Sequence, residues 1–507
     1  MSRGSEISKV LMALILTTVV VVSGCLSSPE PDQTGDEIFA SAIEEYLEAN
    51  YRTASALFDE AALAYTLEGS ETERVRANNW KFRCDRVTME FPYDRNEARE
   101  KLEEAFPDIP EDKRNNWLDN DTTERIISDG EVLYFEQFIQ NIRFRNLDLI
   151  REMMEKVGHT PIFDSEYIRD IIWNGTSGNE GAYVDPVEFC GGGGISIPRD
   201  LLPDNGTLQV WIPAPVKTSS QVNIALLSIE PETCVVKEPD LDSDLGLAYL
   251  EIPLEEVQGD LEISIEFSFT EYEMKFDVDP NKVGEYDRES YEYIHYTGSS
   301  ENIDVNDDIR NLALSVVGDE TNPYLQAQKI YWYILENVQY SLVPHLHLSA
   351  LGTLPESQYV HENGFGDCGA QSSYFCALCR SIGIPARDIG GNQLVPGTAG
   401  NHFWSEFLLP NYGWVPVDLA IAEIADWSFD ATDEERETFK EFYFGNLDPY
   451  RFIIQKDLDV SMDPDPVNAV LFRTVHQAPS AVCTTSDTDL EIVMYLYWDF
   501  DIGLTDQ

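Results

Sequence analysis

The chain has 507 residues, 43% of them hydrophobic, which is too long for a single core and implies three or four domains. It carries 92 acidic against 34 basic residues, a formal net charge of −58. A chain of that charge repels nucleic acid and anionic lipid surfaces, which excludes both as partners, and it suits a high-salt or strongly hydrated extracellular setting.

At the N-terminus, Arg3 and Lys9 precede a short apolar run, Val10 to Val22, and Ser23-Gly24-Cys25 follows. A basic end, a short apolar stretch and small residues make a secretory signal over residues 1–24, too short for a comfortable membrane span. Its Val-Ser-Gly-Cys ending resembles a lipobox, which implies cleavage before Cys25 and lipid attachment to that residue. An uncleaved signal anchor is the alternative; either places the rest outside the cytoplasmic membrane. Residues 25–36, with Pro29, Pro31 and Gly35, read as a polar tether.

Residues 37–185 form a helical region. The phrase Tyr46-Leu-Glu-Ala-Asn-Tyr-Arg-Thr-Ala54, followed by Phe58 and Ala61, resembles one tetratricopeptide-type helical hairpin, with Ala49 where a glycine is usual. Asn96 to Phe106 is a poorer second copy. Stable arrays need about three repeats, so the region is either a degenerate array or a plain bundle, and any partner it holds is a protein.

From residue 188 to 275 the texture changes to strands, Leu208–Pro213, Val222–Leu227 and Leu261–Phe269, separated by turn residues. This predicts an antiparallel, sandwich-like β domain. Gly191 to Gly194 reads as a flexible break. Asn120, Asn174 and Asn205 each open a glycosylation-type triplet, which agrees with exposure outside the cell.

Residues 300–430 carry the chemistry. Asn322 caps a helix that Pro323 starts. Cys368 opens a second helix, which Gly383 and Pro385 stop. Free N–H groups and the positive dipole end at that position favour a thiolate. His402 to Leu408 reads as a strand, Pro410 to Gly413 as a turn, and Trp414 to Asp418 as a second strand. A hairpin centred near residue 410 sets His402 and Asp418 directly opposite; a register shift of two leaves them diagonal, still within reach. Cys368 as nucleophile, His402 as base and Asp418 as the carboxylate that orients the base form the arrangement of acyl-transfer enzymes.

The phrases GFGDCGAQSSYFCALCRSIGIPARDIGG and NHFWSEFLLPNYGWVPVDLA resemble the core of the transglutaminase-like superfamily, which includes microbial cysteine peptidases. The resemblance implies a papain-like α+β core preceded by a β domain, and amide chemistry on a protein or peptide substrate through a thioester. Hydrolysis is the expected outcome; glutamine crosslinking, or a non-catalytic surface scaffold, is the alternative. Trp404 is expected to wall the site for substrate, and Glu406 to make a structural pair. No calcium-loop pattern appears, so no cofactor is expected. His345-x-His347 lacks companions at ligand spacing, so no metal site is expected. Cys376 and Cys379 sit inside the Cys368 helix and read as buried structural thiols. Residues 431–507 read as a C-terminal extension with a helix at Asp433–Phe442, a turn from Phe444 to Arg451 and a terminal strand at Leu490–Tyr497.

Overall fold

Thr34 caps the first helix, Gly35–Leu47, in a reciprocal box with Glu37, so helix begins inside the stretch assigned to the tether. The computed structural model describes residues 34–505 apart from 121, 158–161, 175–180, 352–353, 398, 429 and 467–475. Cys25 and the segment expected to be a signal lie outside the described residues. The fold is mixed α+β: N-terminal helices, antiparallel sheets, and a core in which a helix packs on a four-stranded sheet.

Helices Gly35–Leu47 and Tyr51–Glu68 are joined by a turn in which Ala49 is left-handed, at φ 62°. Ala54, Phe58 and Ala61 are fully buried between them and Glu71–Glu90. The region is not wholly helical. Arg125–Ser128 and Glu131–Tyr134 form an antiparallel hairpin. Its two-residue loop is Asp129-Gly130, both at positive φ, the turn that matches strand twist.

Two antiparallel sheets make the β domain. One orders Asn446–Leu447, Leu261–Lys275, Tyr183–Ile197 and Trp498–Leu504, with Gln221–Glu230 also paired to Leu261–Lys275. The other orders Ser480–Val482, Thr207–Pro213, Leu247–Pro253 and Val235–Lys237. Gly191 to Gly194 is no break: it lies inside a 15-residue strand. A side chain at Gly191 or Gly192 would strike the backbone of Asp501 or Ile265, and one at Gly193 would strike the Trp498 ring. The glycines serve close strand approach, which the sequence alone does not distinguish from flexibility.

The C-terminal residues are not an appendage. Arg451–Lys456 is the outer strand of the core sheet, Ser480–Val482 and Trp498–Leu504 complete the two β-domain sheets, and Leu490–Tyr497 is a helix where a strand was expected. A short apolar run fits either period, and here helical packing wins. Arg86, on the third helix, pairs with Asp489 (2.7 Å) and Glu491 (2.8 Å) and ties the N-terminal region to this helix.

The core sheet runs Gly413–Val417, Gly400–Leu409, Ala386–Gln393, Arg451–Lys456, all antiparallel. Helix Cys368–Ser381 covers one face, where Ser373 donates to Asp388 (2.9 Å) and Ser405 to the Ser372 carbonyl (3.3 Å).

Candidate active site

Three local features bring Cys368 to its position. Gly364 ends the preceding helix at φ 72°, in the left-handed conformation that glycine adopts at no steric cost. A Cβ on Gly366 would press on Val360 and Ala370. Asp367 then caps the helix, its Oδ1 accepting from the Ala370 N–H (3.2 Å).

Phe403, one residue beyond His402, donates its backbone N–H to the Cys368 sulfur. This contact is available because Gly413–Val417 pairs only with residues 405–409 of the neighbouring strand, leaving the edge at 403 open. Burial, reinforced by the Asp367 carboxylate, pushes the Cys368 thiol up to about 12. Burial and the Asp367 carboxylate thus oppose the thiolate that the helix start was expected to favour.

The hairpin takes the diagonal of the two foreseen registers. Ser405 faces Val417, which sets Asp418 opposite Trp404 and two residues from His402. His402 Nε2 lies 2.8 Å from Asp418 Oδ2. Among the described residues, no hydrogen bond engages Nδ1. Asp418 also caps the next helix, accepting from the Ile421 N–H (3.0 Å), and receives Arg451 Nη1 at 2.6 Å. Burial alone would raise the Asp418 carboxyl; His402 and Arg451 together outweigh it and hold the carboxyl below its ordinary range.

Arg451 is the residue that the sequence did not announce. It is wholly buried, stacks over Trp404 at 5.3 Å, and its other arm reaches Asp448 at 2.5 Å. The turn foreseen from Phe444 to Arg451 ends where the strand carrying this residue begins. The β-rich run Arg-Phe-Ile-Ile was the available signal. Trp404 is a second correction. It is fully buried, stacked beneath His402 (ring centroids 5.9 Å apart), so it backs the imidazole and does not face substrate. Glu406 pairs with Arg387 at 2.7 Å.

A second imidazole is tied to the aspartate that precedes the cysteine. His345 opens a short helix and is gripped at both nitrogens, Nδ1 by Glu356 and Nε2 by Asp367, each at 2.7 Å. Burial opposes its charge, but the two carboxylates prevail and raise it well above the ordinary histidine range. Glu90, from the N-terminal region, accepts from the N–H groups of Leu346 (2.9 Å) and His347 (2.6 Å). Tyr340 lies beside Cys368 at the strand pair that links Gly366 to Tyr340; burial first, and the Cys368 site next, keep its phenol protonated. Cys376 donates to Asp388 (3.2 Å), and Cys376 and Cys379 are fully buried and free.

Residues 310–419 match the family model of the transglutaminase-like superfamily, a span that includes Cys368, His402 and Asp418. An uncharacterised protein of Haemophilus influenzae is 27% identical over 185 residues, covering 30% of this chain and 48% of its own, so the match spans about half of that relative's length. Among solved structures, a proposed cysteine protease from Cytophaga hutchinsonii is 15% identical with a TM-score of 0.37, covering 64% of this chain and 92% of its own. The periplasmic domain of TgpA from Pseudomonas aeruginosa is 14% identical with a TM-score of 0.23, covering 52% and 93%.

Proposed function

We propose that this chain, with its transglutaminase-like core at residues 310–419, is a cysteine-dependent amide hydrolase acting on protein or peptide substrates. The observation that carries the reading is the His402–Asp418 pair at 2.8 Å on the strand whose next N–H meets the Cys368 sulfur.

His402 Nδ1 takes the thiol proton, and Asp418, held by Arg451, stabilises the imidazolium that forms. The thiol is not expected to ionise alone; the thiolate forms as its proton passes to the imidazole. The thiolate attacks the amide carbonyl, and the Cys368 backbone N–H and the Tyr340 hydroxyl supply donors for the oxyanion. His402 then protonates the departing nitrogen, leaving an acyl thioester. Water, deprotonated by His402, attacks the thioester carbonyl; the carboxylic acid leaves and the Cys368 sulfur regains its proton. An amine in place of water gives crosslinking.

Export belongs to the same proposal: the signal over residues 1–24 and lipid on Cys25 hold the enzyme on the outer face of the cell membrane, and its helical region offers a surface to a protein partner. The test is turnover of a peptide library by a chain starting near residue 30, beside Cys368→Ala. Release of new carboxyl ends by the native chain alone supports hydrolysis; amine incorporation alone supports transfer; equal partner binding with no turnover by either supports a scaffold.

A further inference from the structure

The segment from Gln339 to His347 carries Tyr340 and is bonded along one side to the residues that lead into Cys368. Gln339 and Ser341 donate their backbone N–H groups to the carbonyls of Gly364 and Gly366, each at 3.0 Å, and Val343 donates to Asp367 Oδ2 at 3.2 Å. A segment bonded along one side turns its alternate backbone groups the other way, and burying those without partners is costly.

The N-terminal region supplies the partners. Asn141 and Phe144 on helix Phe138–Phe144, with its capping residue Arg145, have the i, i+3, i+4 spacing that puts three side chains on one helix face. Asn141, wholly buried, bonds Leu342 twice: its Nδ2 donates to the carbonyl at 2.9 Å, and its Oδ1 accepts from the N–H at 2.8 Å. A side-chain amide thus stands in for the peptide group of a further strand. Arg145 donates from Nε to Ser341 Oγ at 2.8 Å and lies over the Phe365 ring at 3.5 Å. Phe144 meets the Tyr340 ring edge to face, centroids 4.9 Å apart, and Trp427 meets the same ring at 5.4 Å. One helix face therefore reaches Tyr340, Ser341 and Leu342 in turn, and it lies outside the span that matches the family model.

We propose that helix Phe138–Phe144 is a positioning element of the active site: Asn141, through Leu342, and Phe144, through the ring itself, aim the Tyr340 hydroxyl at the carbonyl oxygen of the amide that Cys368 attacks. The proposal rests on the amide-hydrolase reading above, with Tyr340 as an oxyanion donor. Asn141 is a positioning residue that acts through Tyr340, and the N-terminal region becomes part of the catalytic unit.

The test is a double-mutant cycle in the full chain, with Asn141→Ala, Tyr340→Phe and the two combined, on a peptide that the native chain turns over. Tyr340→Phe lowers kcat by about 10²–10³-fold. Asn141→Ala lowers kcat by about 10–10²-fold, with KM within about twofold of native. The combined variant is no slower than Tyr340→Phe alone, although Asn141→Ala lowers the melting temperature equally in both backgrounds. Native kcat in either single variant, or an equal loss from Asn141→Ala with and without the Tyr340 hydroxyl, overturns the proposal. If Asn141→Ala does not fold, Phe144→Leu, which keeps an apolar side chain against Tyr340 but removes the ring, takes its place in the cycle. If the native chain turns over no peptide, the hydrolase reading fails, and positioning is read from the flipping rate of the Tyr340 ring, by NMR of labelled tyrosine with Tyr340→Phe to assign the signal. Faster flipping in Asn141→Ala supports a held ring; the native rate in that variant overturns it.

Discussion

The fold treats His345 and His402, the two histidines tied to the segments around Cys368, in opposite ways. His345 has both ring nitrogens spent on carboxylates, Glu356 and Asp367, so it is a fixed cation with no lone pair to accept a proton. His402 has one nitrogen spent, on Asp418, and that carboxylate is shared with Arg451. The first imidazole is a structural charge that neutralises the helix-capping Asp367; the second keeps a nitrogen for chemistry. An imidazole near a cysteine is thus no base by proximity alone. What decides is how many of its nitrogens are already committed.

The largest expected effect breaks the comparison on its catalytic side. His402→Ala should lower turnover by about 10²–10⁴-fold with the fold intact, read as kcat/KM beside the melting temperature. Arg451→Ala should act on the same pair through stability. It leaves Asp418 and Asp448 buried without their cation, a cost of about 3–5 kcal/mol, measured by denaturant unfolding. His345→Gln sharpens the contrast. It should cost about 2–3 kcal/mol in the same unfolding assay, because Asp367 and Glu356 lose their shared cation, yet leave the pH profile of turnover unchanged in shape. A profile that moves with His345→Gln would make that residue part of the proton chemistry.

The smallest effect concerns a carboxyl behind the site. Burial pushes Glu423 up to about 8, against an ordinary 4.5, and outweighs the hydrogen bond that Gln371 donates to it at 3.1 Å. The folded chain keeps this proton to about pH 8 while the unfolded chain releases it near 4.5, so the stability it contributes at low pH is lost as pH rises between those values. Glu423→Gln should therefore flatten the decline in melting temperature from pH 5 to 8, read by thermal unfolding at each pH.

Chemistry that local signals encode was legible in the sequence. Gly364-Phe-Gly-Asp-Cys before an apolar helix fixes where Cys368 sits, because the capping Asp367 and the left-handed Gly364 are short-range requirements. The hairpin turn at Pro410 to Gly413 confined His402 and Asp418 to two registers, and cross-strand packing chose between them. The role of Arg451 was not legible: its strand had a local signal, but its partner Asp418 lies 33 residues away in sequence. The same holds for His345, whose partners come from separate helices. Gly191 to Gly194 misled because glycine serves both flexible turns and tight strand contact. Asp129-Gly130 carries a hairpin signal, set among helical segments on both sides.

The most direct measurement is the pH dependence of Cys368 alkylation, read by mass spectrometry in the native chain and in His402→Ala. Cys368 should react well below the ordinary thiol range, near 8.5, and faster than Cys376 and Cys379, and removing His402 should abolish this advantage. A Cys368 that stays inert until high pH in both proteins, like its two buried neighbours, would contradict the catalytic pair.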